Sequence, residues 1–236
     1  MSRIMAFGFT FLLLGFAKPA EAKEAKAPQD AKKALQALND FIGGWKGNGS
    51  VEKDRLATWK ETVNWSWRFK GDDAWLVMTV SKGKYVKSGE LLYLVNKKQY
   101  QFTLVDKDGE KTVYLGTLKK RQLTLQAIDK ETKETRQVKM NLAAGGIRFI
   151  YTVSHKPANR LIFARDFEVG CTRLGESFGA KEKKIECVVS GGLGTIPVMH
   201  KGVTYYVCCS GCKDAFNENP EKYIKEYEAK KNKPEE

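Results

Sequence analysis

The sequence predicts a mostly β protein: an antiparallel β-barrel, then a small α+β unit made of a hairpin and two helices. Three observations carry this. From Trp45 to about Arg173, apolar residues recur at every second position between short polar turns, with no long helical pattern among them. Four of the five cysteines, Cys187, Cys208, Cys209 and Cys212, crowd the last quarter of the chain, where the pattern changes from strand to helix. The 236 residues are 42% hydrophobic, 29% charged and 11% aromatic, enough to bury one large or two modest cores. That composition excludes global disorder, a collagen-like repeat and a multi-span membrane protein.

The first 22 residues have the form of a secretory leader. Arg3 supplies a positive start, Ile4 to Ala17 carries no charge, and Ala20-Glu21-Ala22 is a small-residue cleavage signal. The uncharged run is too short for the ~20 residues of a spanning helix. The mature chain is therefore expected to begin at Lys23 in an exported, periplasmic or extracellular, compartment where thiols meet oxidising conditions. Residues 23–33, KEAKAPQDAKK, have the small and charged composition of a solvated linker. Leu35, Leu38 and Phe41 follow at helical spacing.

The barrel is expected over 34–175. Trp59, Val63, Trp65, Trp67 and Phe69 alternate with Lys60, Thr62, Asn64, Ser66 and Arg68, which makes one face apolar and the other polar. The same alternation marks Tyr100/Phe102/Leu104, Leu123/Leu125/Ala127, Val138/Met140/Leu142, Ile147/Phe149/Tyr151/Val153 and Leu161/Phe163/Phe167/Val169. Turn clusters at 70–73, 96–98, 106–109 and 129–133 separate these runs. Eight to ten strands in such a meander close into a barrel, because closure removes exposed edges.

With Gly43-Gly44-Trp45 ahead of the first strand, residues 34–175 resemble the calycin group of lipocalin-like barrels. The resemblance implies that Trp45 plugs one barrel end and that a basic residue of the last strand, Arg165 or Arg173, packs across it. Function does not transfer with such a fold.

Within the barrel, Glu61 stands on the apolar face between Trp59 and Val63. A buried carboxylate there serves as a general acid or ligand anchor, or as the structural partner of Arg165 or another cation, or sits at a wet barrel mouth. His155, beside Lys156-Pro157, reads as a solvated loop histidine, and no Ser-His-Asp or Cys-His grouping accompanies it. Cys171 continues the apolar phase of the last strand and is expected as a packed thiol. The charge of +13, from 41 Lys+Arg against 28 Asp+Glu, falls mostly on the barrel. The tryptophans lie on the buried phase, so the interleaved exposed aromatics of a nucleic-acid surface are missing.

After a short linker at 176–184, the unit at 185–230 carries the chemistry. Cys187, Cys208 and Cys212 form a C-x20-C-x3-C pattern. Thr195 to His200 and Val203 to Val207 are expected as two strands joined at Lys201-Gly202. Cys208 and Cys212, four apart at a helix start, point the same way. Asn219-Pro220-Glu221 then opens a last helix. So small a fold needs a metal or a disulfide as staple, and thiolate-rich sites select Zn²⁺ or Cu(I).

Residues 185–227 resemble the YHS domain of the TRASH-like group, associated with trafficking and sensing of heavy metals. The resemblance rests on Cys187, Lys201-Gly202, Tyr205-Tyr206, Cys208-Cys209, Gly211-Cys212, Phe216, Pro220 and Tyr223. It implies ligand roles for Cys187, Cys208 and Cys212. The fourth position falls to water or Cys209, while His200 at the hairpin tip is too far along the strand. Cys209 and Cys212 also form a C-x-x-C that a thiol-disulfide protein would use, although no thioredoxin-like pattern surrounds it.

The expected function is binding of Zn or Cu(I) for homeostasis or delivery, without catalysis. Thiol redox chemistry at Cys209/Cys212 and carriage of a small apolar ligand in the barrel are the alternatives. The expected partners are the metal ion and a metal-handling protein, with no nucleic acid and no integral membrane segment.

Overall fold

The computed structural model describes residues 21–52, 57–175 and 185–231. The expected leader, apart from its last two residues, and the linker at 176–184 lie outside the described residues. The described residues open with helix α1 (Glu21–Gln36) and a 3₁₀ turn at Asn39–Phe41. Ten strands follow: β1 (Gly43–Val51), β2 (Thr58–Lys70), β3 (Asp73–Ser81), β4 (Val86–Leu94), β5 (Gln99–Asp106), β6 (Lys111–Lys119), β7 (Gln122–Ile128), β8 (Thr135–Ala143), β9 (Arg148–Lys156) and β10 (Ala164–Arg173). Each pairs antiparallel with its sequence neighbours, and β10 pairs with β1 to close the barrel. The hairpin β11 (Ile196–His200) and β12 (Val203–Val207) and helices α2 (Ser210–Glu218) and α3 (Pro220–Lys231) complete the fold.

The period-two residues line the interior as the pattern requires. Val63, Trp65, Trp67, Phe102, Leu123, Leu125, Val138, Met140, Phe149 and Val169 are fully buried. One barrel end is sealed by Trp45, whose Nε1 donates to the Phe41 carbonyl at 2.7 Å. Between the two candidate arginines, Arg173 is the one that covers it. Its guanidinium carbon lies 4.2 Å from the Trp45 ring centroid, and its nitrogens donate to the carbonyls of Ile42 and Asp40. A planar donor fork on an aromatic face does both jobs at once, as a lysine cannot.

Several expectations are corrected. Residues 23–33 are helical, not linker: alanine, lysine and glutamate are strong helix formers, and α1 packs beside β3 and β4. Leu161 is 95% exposed in the β9–β10 connection, because β10 starts only at Ala164 and its register slips between Arg165 and Phe167. That bulge adds one residue, Asp166, to the strand. Arg165 turns to Glu52 and Glu168, not to Glu61. His155 is the penultimate residue of β9, with its Nδ1 2.5 Å from Asp166 Oδ1. A strand position and a carboxylate partner replace the solvated loop.

The two-part organisation is also less separate than expected. One continuous buried cluster runs from the barrel core through Val188, Val189, Val207, Cys212 and Phe216 to Tyr223. The joint follows from strand length. β2 has 13 residues and β1 only 9, and their pairing ends at Gly43 opposite Trp65. Beyond that point the β1-side backbone of β2 has no strand neighbour, and α2 covers it. Among the described residues, no helix is long and apolar enough to cross a membrane.

Candidate metal centre

The site is assembled from two short backbone structures. Residues Cys187 to Gly192 form a tight loop, with the Cys187 amide donating to the Gly192 carbonyl at 2.7 Å and the Gly191 amide to the Cys187 carbonyl at 2.9 Å. Gly191 takes φ +74°, which a side chain would resist. The second structure is the hairpin and helix start. Lys201 and Gly202 both have positive φ, the twist that suits a two-residue hairpin turn. β12 then delivers Cys208, Cys209 immediately precedes α2, and Cys212 lies in its first turn. The N-terminal end of a helix favours anionic groups, thiolates included.

The Sγ atoms of Cys187, Cys208 and Cys212 all lie within 4.8 Å of one another, and all three residues are buried. The Cys208 and Cys212 sulfurs are 3.5 Å apart. Tetrahedral zinc with Zn–S bonds of about 2.3 Å sets its sulfurs about 3.8 Å apart, so this spacing needs only small adjustment. Cys209 lies outside that mutual group, although its sulfur is 3.9 Å from that of Cys208. His200, as the sequence indicated, is also outside it, 3.4 Å from Glu221 and edge-on to Phe216. All five cysteines are free thiols.

Protons are unevenly held in so crowded a cluster. Hydrogen bonds from Cys208 and Cys212 lower the Cys187 thiol, and bonds from the same two thiols lower Cys209. Cys208 is raised, first through its bond to Cys187, and Cys212 is raised, first by burial. Only thiolates ligate, so a soft cation bound here would displace the protons of the cluster.

Four residues that hold the cluster were not identified from sequence. The Trp67 amide, on the edge of β2 that α2 covers, donates to Cys209 Sγ at 3.3 Å. Ser190, fully buried, places its amide 3.5 Å from Cys187 Sγ and its hydroxyl 3.3 Å from Cys208 Sγ. Asn39 and Gln36 donate to the Ser190 carbonyl at 2.9 and 3.0 Å, and Asn39 also accepts from Trp67 Nε1 at 3.1 Å. The C-x-x-S spacing from Cys187 to Ser190 was the one available signal.

Inside the barrel, Glu61 is 2% exposed and accepts hydrogen bonds from Tyr151 Oη at 2.5 Å and Trp59 Nε1 at 2.6 Å. Burial raises its pKa, and the two hydrogen bonds oppose that shift. Cys171 is fully buried, and its thiol is pushed up to about 12, first by burial and then by Glu61. It packs in the barrel, away from the other four cysteines. Two grooves of about 440 Å³ each lie beside α1, and Cys187 lines one of them.

No family model matches the chain, and no curated protein matches it. Among solved structures, the crystal structure of Rv2717c from M. tuberculosis is similar with a TM-score of 0.37 and 13% identity, over 59% of this chain and 96% of that one. At that level of likeness nothing about function follows.

Proposed function

We propose that this chain is an exported soft-metal-binding protein that holds Zn²⁺ or Cu(I) for homeostasis or delivery, without catalysing a reaction. The observation that carries the reading is the group of three buried thiols, Cys187, Cys208 and Cys212, within 4.8 Å of one another. Thiolate donors select soft ions over Mg²⁺ or Ca²⁺. Cys209 or water completes the coordination, and the resemblance of residues 185–227 to the YHS domain supports the same set. The leader-like start supports export, which would bring the site into contact with a metal-handling partner outside the cytoplasm.

Metal analysis of protein purified under reducing conditions tests this. One equivalent of zinc or copper is expected in the unaltered chain. Separate Cys→Ser changes at 187, 208 and 212 should each abolish it, and Cys209→Ser should only weaken it. Uptake that survives all three changes would overturn the assignment.

A further inference from the structure

The sulfur cluster is held by groups reaching back to the barrel, and their geometry points to a role for them in setting metal affinity. We propose that Ser190 is a positioning residue that stabilises the Cys187 and Cys208 thiolates by hydrogen bonding, and that Asn39, from the barrel's closed end, fixes Ser190 for that task. This rests on the metal-binding reading and extends it, because it makes docking of the thiol unit on the barrel part of the affinity.

The direction of each bond follows from the neighbours. The Gly192 amide donates to Ser190 Oγ at 3.4 Å, so the hydroxyl hydrogen is left to point elsewhere. Cys208 Sγ stands 3.3 Å from that oxygen, and once ionised toward a metal it can only accept. The Ser190 amide meanwhile faces Cys187 Sγ at 3.5 Å. One residue thus offers a donor to each of two sulfurs. Its position is set from the other side, since its carbonyl accepts from Asn39 Nδ2 at 2.9 Å and from Gln36 Nε2 at 3.0 Å. Asn39 is in turn held by Trp67 Nε1, and the same tryptophan's amide donates to Cys209 Sγ. The contacts run from the barrel wall through Asn39 and Ser190 to sulfur, and none of these groups is itself among the thiol ligands.

Donors to a coordinated thiolate draw charge off the sulfur and lower the cost of gathering several anions around one ion. Loss of such outer contacts typically costs roughly 10- to 100-fold in metal affinity. The energy of the sulfur-to-metal charge-transfer band reports the same interaction directly. A thiolate that loses its donor is easier to oxidise, so its band moves to lower energy.

Co²⁺ as a spectroscopic stand-in for zinc, with affinity measured by competition against a chromophoric chelator, tests the inference on the full chain. Ser190→Ala should weaken Co²⁺ binding by roughly 10-fold or more and shift the charge-transfer band to lower energy. Ser190→Thr, which restores a hydroxyl, should recover the band. Asn39→Ala, which touches no sulfur, should weaken binding and, because it also leaves the buried Trp67 Nε1 without its acceptor, lower the barrel's thermal transition. Wild-type affinity in Asn39→Ala would overturn the part given to Asn39. Wild-type affinity with an unmoved band in Ser190→Ala overturns the inference while leaving the metal site standing. So does weakening in Ser190→Ala and Ser190→Thr alike with the band unmoved, which would make Ser190 a packing residue only. An unaltered chain that takes up neither Co²⁺ nor Zn²⁺ overturns the proposed function itself, and this inference with it.

Discussion

Replacing Gly211 by alanine sets two opposing effects against each other, and the structure says which wins. In an exposed helix the change would stabilise by about 1 kcal/mol, because glycine is the poorer helix former. Gly211 is buried where α2 meets the free edge of β2, and a Cβ there would lie 1.8 Å from the Trp67 carbonyl oxygen. Ordinary contact begins at 3.4 Å, so helix and strand would have to part by about 1.6 Å. Both surfaces are backbone, and no side chain can swing aside to absorb the shift. Parting them stretches the 3.3 Å bond from the Trp67 amide to Cys209 beyond hydrogen-bonding range. Overpacking at about 1–3 kcal/mol and a lost hydrogen bond at about 1 kcal/mol outweigh the helix gain. A net destabilisation of about 1–3 kcal/mol is expected in denaturant melts, together with weaker metal binding, because Cys212 rides on α2 while Cys187 does not. A Gly211→Ala protein with a raised midpoint would refute this account of the joint.

Three further outcomes follow from the same structure. Glu61 has its folded pKa raised above 4.5, so it binds more protons folded than unfolded; its favourable contribution is complete below that value and is lost as pH rises through the folded pKa. Tyr151→Phe removes a bond that lowers this pKa, so the pH at which stability falls should move upward in melts run across acid to neutral pH; an unmoved profile would count against it. The same change should cost about 1–3 kcal/mol, because it leaves a buried carboxyl oxygen without its donor. Arg173→Lys should destabilise the barrel by about 1–3 kcal/mol, since an ammonium cannot cover Trp45 while serving both the Ile42 and Asp40 carbonyls, and equal melting of the two proteins would argue otherwise. Chelation under reducing conditions should raise hydrogen exchange over 185–231 while β3 to β9 stay protected, and it should alter the Trp67 environment; uniform protection in the apo protein would show that metal does not stabilise this region.

The barrel was legible because period-two alternation survives in single strands, where burial on one face dictates it. Strand β10 was misread at its start: Leu161 and Phe163 keep the phase by coincidence, and the bulge at Asp166 leaves no mark in a pattern of alternate residues. Helix α1 was missed because its charged, alanine-rich composition suits a linker as well as a helix, and the choice is made by packing on β3 and β4. The cysteine spacing marked the thiols that come together, since a hairpin and one helical turn are local geometry. Ser190 and Asn39 were invisible for the opposite reason: their bond joins residues 151 positions apart and depends on how two folded parts dock. The coupling of the two parts was hidden likewise in the unequal lengths of β1 and β2.

Intact-mass measurement under native conditions, on protein isolated from its own host without added metal, bears most directly on the central claim. The account predicts one zinc or copper ion per chain, absent from Cys208→Ser, with the cysteines reduced. A metal-free chain lighter by two hydrogens, with Cys209 and Cys212 joined as a disulfide, would contradict it and make the cluster a redox pair.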